Sequence, residues 1–182
     1  MEEYGIRMLC LGALFLPGYV ALRRPWRHRG PREWVLGAFV LYMLALLCLA
    51  LEGDYRPIPQ MVRAARLRLS TGEGINLQPL YTVRTFFRYM GGEDFLVNIV
   101  GNTVLFIPWG LGLGLLWEKN RRPGRLLSLC LALPVAIETV QLFIGRRVDA
   151  DDVILNFLGG LLGAALWYLC QKKLPRLKAL GR

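Results

Sequence analysis

Histidine is nearly absent from this chain and cysteine is sparse: there is one histidine, His28, and four cysteines. Cys10, Cys48, Cys130 and Cys170 all fall inside apolar runs, with no CxxC pair and no Cys/His cluster. They read as small buried hydrophobes, and His28 as a solvated member of an Arg-rich loop. A cysteine or histidine metal site is thereby excluded. The glycine loops that cradle phosphates or dinucleotides are also lacking, and no nucleophile stands beside a base. Internal repeats and low-complexity tracts are missing too. Acidic residues are in deficit: 13 Asp and Glu stand against 23 Lys and Arg, a net charge of +10.

Apolar sequence is what the chain has in abundance. Its 182 residues fit one domain by length, and 54% of them are hydrophobic. The apolar residues come in runs: Ile6–Leu22, Trp34–Leu51, Phe95–Trp117, Leu126–Ile144 and Val153–Leu169. Each approaches the roughly 20 residues that cross a bilayer core. The expected fold is therefore all-α, a polytopic membrane helix bundle of about five transmembrane helices. The first run follows Glu2 and Glu3, has no basic leader, and runs into arginines instead of a small-residue cleavage site. It reads as a retained span and not as a signal peptide.

The distribution of charge explains its surplus. Arg23, Arg24, Arg27, Arg29 and Arg32 follow the first run; Lys119, Arg121, Arg122 and Arg125 follow the third; Lys172, Lys173, Arg176, Lys178 and Arg182 follow the fifth. Among acids these segments contain only Glu33 and Glu118, whereas the alternate segments are nearly balanced. The positive-inside rule then gives an outside amino terminus and a cytoplasmic carboxyl terminus. The basic surplus marks topology, and no nucleic-acid partner is implied.

The longest stretch outside the runs is the outer loop, 52–94. It begins extended, because Pro57 and Pro59 break DYRPIPQ. Gln60–Leu69 mixes Arg63, Arg66 and Arg68 with apolar residues and suits the membrane surface, and STGEG reads as a turn. Pro79 can open a short helix with Leu80, Val83, Phe86, Phe87 and Met90 on one face and Arg84 and Arg88 on another. Two readings stand: an interfacial helix whose arginines meet lipid phosphates, which is favoured, or a lid over a polar site.

The site lies where polar groups interrupt the apolar runs. Glu138, Gln141, Arg146, Arg147, Asp149, Asp151, Asp152 and Asn156 crowd the segment IETVQLFIGRRVDADDVILNFLGG. Ionisable groups at membrane depth cost several kcal/mol or need partners, so they are functional candidates. Helical phase pairs Asn98 with Asn102, Glu138 with Gln141, and Asp152 with Asn156. Glu138 and Asn102 would each lie roughly 10 Å below the outer boundary. An outward-opening polar pocket is expected. The plainer alternative is interhelical hydrogen-bond glue, with Gly110, Gly112, Gly114, Gly159 and Gly163 giving close packing and Pro108 a kink. The aspartates suit a solvated turn and a helix cap. A buried Glu138 must be protonated or paired, with Arg146 or Arg147 the near candidate. Converging carboxylates suit a divalent cation, while arginines with amides suit an anionic head group or a carboxylate.

Asn76-Leu-Gln-Pro79, NIVGNTVLFIPWG, Glu138-x-x-Gln141 and GRRVDADDVILNFLGG, in that order, resemble the VanZ-like family of small bacterial membrane proteins. The resemblance covers 76–163 and implies a single VanZ-like membrane domain over 1–182, sited in the bacterial cytoplasmic membrane. The family's namesake is linked to resistance to teicoplanin, a glycopeptide antibiotic with a lipid tail. No cofactor or catalytic set carries over. The motif positions do: Asn98, Asn102, Glu138, Gln141, Arg146, Asp149, Asp152 and Asn156. The leading expectation is a binding protein for an envelope lipid head group or a lipoglycopeptide. Arg146 would meet the anionic group, the amides would add neutral hydrogen bonds, and Glu138 would hold Arg146 or take a proton. Expected partners are membrane lipids, a lipoglycopeptide antibiotic or a peptidoglycan precursor lipid. The rivals are an intramembrane enzyme using Glu138 and Asp152 as acid–base groups or metal ligands, and a purely structural packing module.

Overall fold

A computed structural model describes residues 30–89 and 99–181. The first apolar run and Asn98 lie outside the described residues. Helix α1 spans Pro31–Ala50 and α5 spans Pro123–Phe143, and both begin on a proline. Proline suits that position because its fixed φ is already helical and its missing N–H would have had no partner. Helix α6, Ala150–Lys173, is capped by Asp149, whose side chain accepts from the Asp151 amide. Asp151 and Asp152 in its first turn and Lys172 and Lys173 in its last complement the helix dipole. These three helices are long and apolar enough to cross a membrane. They match the second, fourth and fifth apolar runs, with α6 extended at both ends.

Within the described residues the third run yields helix α4, Gly101–Leu116, of 16 residues, preceded directly by a π-helical turn at 99–100. Pro108 sits within it. The Tyr42 hydroxyl donates to the Leu105 carbonyl at 2.7 Å and is also bonded to the Trp109 backbone. A hydroxyl from α1 is thus inserted into the α4 hydrogen-bond ladder beside the proline, where the ladder is already interrupted.

The tightest packing joins α4 to α6 through glycine. Gly110 lies against the Gly160 carbonyl, Gly159 against that of Thr103 and Gly163 against that of Ile107. Leu113, Leu126, Cys130 and Ala164 form one buried cluster, and Leu46, Phe106 and Ile137 another. Cys48 and Cys130 are buried free thiols, in keeping with their reading as small hydrophobes.

The two ends of the bundle differ in kind. At one, Arg32 donates to the carbonyls of Leu180 at 2.8 Å and Leu116 at 3.3 Å. Beside it Arg121 donates to Gly114 at 3.0 Å and Lys178 at 2.9 Å, and lies over the Trp167 ring. Two arginines thereby satisfy helix-terminal carbonyls and tie down the short 3-10 helix Pro175–Gly181. The basic segments 119–125 and 172–178 gather here. At the other end Gln141 Nε2 donates to the Ala50 carbonyl at 2.8 Å, and the Asp54 amide to that of Ile144 at 2.8 Å.

The outer-loop segments pack on this second end. Helix α2, Ile58–Thr71, contains the amphipathic Gln60–Leu69 stretch. Helix α3, Tyr81–Tyr89, begins two residues after Pro79. Between them Ile75–Asn76 forms a strand, β1, parallel to β2 at Val148–Asp149, in the register Ile75↔Val148 and Asn76↔Asp149. This ladder departs from the all-helical expectation. Two residues carry no readable periodicity, so it leaves no signal in the sequence.

Candidate functional site

The turn after α5 is built by an arginine from α2. Arg68 donates to four carbonyls: Leu142 at 2.9 Å, Gly74 at 3.0 Å, Glu73 at 3.3 Å and Arg146 at 2.5 Å. Its planar fork closes the end of α5 and aligns the segment that becomes β1. Gly145, at φ 76, lets the chain reverse. The Arg146 amide returns to the Gln141 carbonyl at 3.0 Å, and Val148–Asp149 then joins the ladder.

Two aspartates fasten α3 to this turn. Asp149 Oδ1 accepts from Asn76 Nδ2 and from the Asp151 amide, both at 3.0 Å, and its Oδ2 accepts from the Thr82 hydroxyl. Asp151 is fully buried, at 0% exposure. Its Oδ1 accepts from the Leu80 amide and its Oδ2 from that of Val83 at 3.1 Å. A carboxylate at the start of α6 therefore closes the amino terminus of α3, where free N–H groups favour negative charge. It also holds Leu80 at φ 63, a left-handed conformation uncommon for leucine. The solvated turn expected here is corrected for Asp149 and Asp151: they are buried, and three backbone N–H groups and two side chains satisfy them.

Below this clamp lies a cavity of about 380 Å³. Asn102, Glu138, Gln141, Arg146, Asp149, Asp152 and Asn156 all line it, together with Thr82 and Arg147. Its apolar wall comes from α1 at Leu46 and Leu49, from Ile99, Leu105 and Phe106, and from Ile137 and Leu155. Glu138, Gln141 and Asn156 are buried, Asn102 and Asp152 half-buried, and Arg146 and Arg147 exposed. Helical phase thus brings together every expected residue within the described chain.

Their partners differ from those expected. Glu138 Oε2 accepts from the Asp149 amide at 3.0 Å. No ion pair joins Glu138 to either arginine among the described residues. The expected Glu138–Arg146 pair gives way to a backbone hydrogen bond because the turn brings β2, and not the arginine side chains, over the end of α5. Arg146 lies within coulombic range and directs Nη1 to the Glu52 carbonyl at 3.5 Å. Asn102 Nδ2 donates to Asp152 Oδ1 at 3.0 Å. Asn156 Oδ1 is buried with no hydrogen-bond partner among the described residues.

Carboxylate convergence is weaker than the divalent-cation reading requires. Among the described residues no group of three or more His, Cys, Asp or Glu is placed to hold a metal ion. Both oxygens of Asp149 and of Asp151 already accept hydrogen bonds, and only Glu138 and Asp152 keep an oxygen for the cavity. Calcium takes about six to eight oxygen ligands, more than the carboxylate oxygens left free on this wall.

Arg68, Asn76 and Thr82 build the site without having been candidates for it. Asn76 belongs to a motif of the loop after α1. Arg68 and Thr82 act through partners far away in sequence, and nothing local in the chain marks them.

A family model described as VanZ/LLP1 matches residues 39–171. No curated protein and no solved structure matches the chain. The matched span holds α1 from Phe39 onward, the whole of the clamp and every described polar residue of the cavity. The chain belongs to the VanZ/LLP1 family.

Proposed function

We propose that this VanZ/LLP1-family chain is a binding protein of the bacterial cytoplasmic membrane. In this reading it spans the membrane about five times, with its basic end in the cytoplasm, its amino terminus outside and the cavity opening outward. The cavity takes the polar head group of a cell-envelope lipid or of a lipoglycopeptide, and through that binding the protein contributes to teicoplanin resistance. One observation carries the reading. Three helices and a clamped turn direct polar side chains into one space, and one of them, Asn156 Oδ1, is buried without a partner. Buried polar atoms are normally satisfied, so an orphan on a residue that lines the cavity supports a wall that adjusts when something enters it. The mixed wall supports the same reading, since head-group sites combine an apolar flank with a few placed polar groups.

In cells that the wild-type chain protects, Glu138→Gln and Arg146→Ala proteins that reach the membrane are expected to lose roughly tenfold of the teicoplanin tolerance. Full tolerance in both would reject the reading.

Glu138 and Asp152 lie within coulombic range of each other on the cavity wall, which favours a second reading. There they act as the acid–base pair of an intramembrane enzyme that modifies an envelope lipid or peptidoglycan precursor. Turnover of such a lipid by purified protein, lost in Asp152→Asn, would favour the enzyme over the binding protein.

A further inference from the structure

Among the described residues, two carboxylates on the cavity wall keep an oxygen free. Asn102 Nδ2 is engaged by Asp152, and Gln141 Nε2 by the Ala50 carbonyl. Each of these two amides spends one of its two N–H donors on those acceptors. Two carboxylate oxygens remain on that wall, the second oxygen of Glu138 and the second oxygen of Asp152, while Asn156 Oδ1 is buried behind it. Among the described residues neither carboxylate oxygen accepts a hydrogen bond. Glu138 is 5% exposed, so this acceptor sits deep. Arg146 and Arg147 are exposed where they line the cavity, and Arg146 Nη1 donates to the Glu52 carbonyl at 3.5 Å.

We infer that the cavity is a two-part site for a zwitterionic aminophospholipid, with a primary ammonium at the inner wall and its phosphate at the rim arginines. This rests on the outward-opening cavity proposed above. A primary ammonium has three N–H donors, and the wall supplies two carboxylates to accept from it. Charge-assisted hydrogen bonds of this kind are the strong ones, above all in a partly dry space. The phosphodiester would meet the guanidinium groups of Arg146 and Arg147, whose planar forks match its oxygens. The apolar flank of Leu46, Leu49 and Leu105 lies where the acyl chains would leave. A cavity of about 380 Å³ suits a head group of this small size.

The full chain in phosphatidylcholine nanodiscs, carrying a fluorescent phosphatidylethanolamine probe, tests the inference by competition. Short-chain phosphatidylethanolamine is expected to displace the probe about tenfold better than phosphatidylglycerol or N-acetyl phosphatidylethanolamine. The N-acetyl lipid keeps the phosphate and loses only the ammonium, so this arm needs no variant. Glu138→Gln and Asp152→Asn should abolish the preference, and Arg146→Ala should weaken all phosphate lipids alike. Equal competition by all three lipids, with Arg146→Ala still weakening them, overturns the ammonium assignment and leaves the head-group cavity standing. No saturable probe binding overturns both. Equal competition by soluble O-phosphoethanolamine overturns the lipid as its source, and displacement by magnesium or calcium ions alone replaces the ammonium with a cation.

Discussion

Gly110→Ala is expected to cost about 3 kcal/mol and to loosen α4 from α6. A Cβ at Gly110 would run into the Gly160 carbonyl, with the Gly160 carbon at 2.8 Å and the Ala164 amide at 2.9 Å. All three are helix backbone, and no side chain is there to swing away. The helices must separate, and the glycine contacts at Gly159 and Gly163 separate with them. Two substitutions make the comparison specific. At Gly160 the new Cβ would meet Cys130 Cβ at 3.0 Å and Sγ at 3.3 Å, a side chain able to give a little. At Gly37 it would meet nothing within 4 Å. Unfolding in detergent should rank Gly110→Ala as far the most damaging, Gly160→Ala as intermediate and Gly37→Ala as neutral. Equal stability in all three would mean that α4 and α6 do not pack through glycine.

Asp151→Ala should have an effect of similar size but local extent. The Leu80 and Val83 amides lose their acceptor, and each buried donor left unsatisfied costs about 1–3 kcal/mol. Leu80 also loses what holds it at φ 63. The bundle beneath is packed independently of this clamp, so α3 should undock while α4, α5 and α6 stay folded. Hydrogen exchange at Leu80 and Val83 is expected to speed up by about a hundredfold, with little change in the α6 core. Asp151→Asn keeps one acceptor oxygen and should fall between wild type and alanine. Unchanged exchange at both amides would remove Asp151 from the clamp.

The sequence made the long elements and the inward faces legible because both follow from local period. Apolar runs near bilayer length became α1, α5 and α6, and the outer-loop amphipathic stretch became α2. Spacings of three and four residues were enough to aim Glu138 with Gln141, and Asp152 with Asn156, at one cavity. The choice of partner was not legible. Glu138 in an apolar helix calls for a counter-group, and two arginines stand nearby in sequence, yet a backbone amide from β2 takes that place. Arg68 looked like a surface arginine because its four carbonyl partners come together only in the folded turn. Asp151 looked like one acid in a solvated run, for the same reason: its partners lie some seventy residues earlier in the chain. Local pattern shows which way a side chain faces, while tertiary contact decides what it meets.

A structure of the full chain in lipid nanodiscs containing phosphatidylethanolamine bears most directly on the cavity. Ordered head-group density is expected within hydrogen-bonding distance of Asp152 and Glu138 and extending to Arg146, with the acyl chains leaving past Leu46 and Leu49. A closed cavity, with Asn156 Oδ1 bonded to a neighbouring helix and Glu138 turned away from Asn102, would contradict it. The polar residues of these helices would then serve to hold the bundle together and not to receive a ligand.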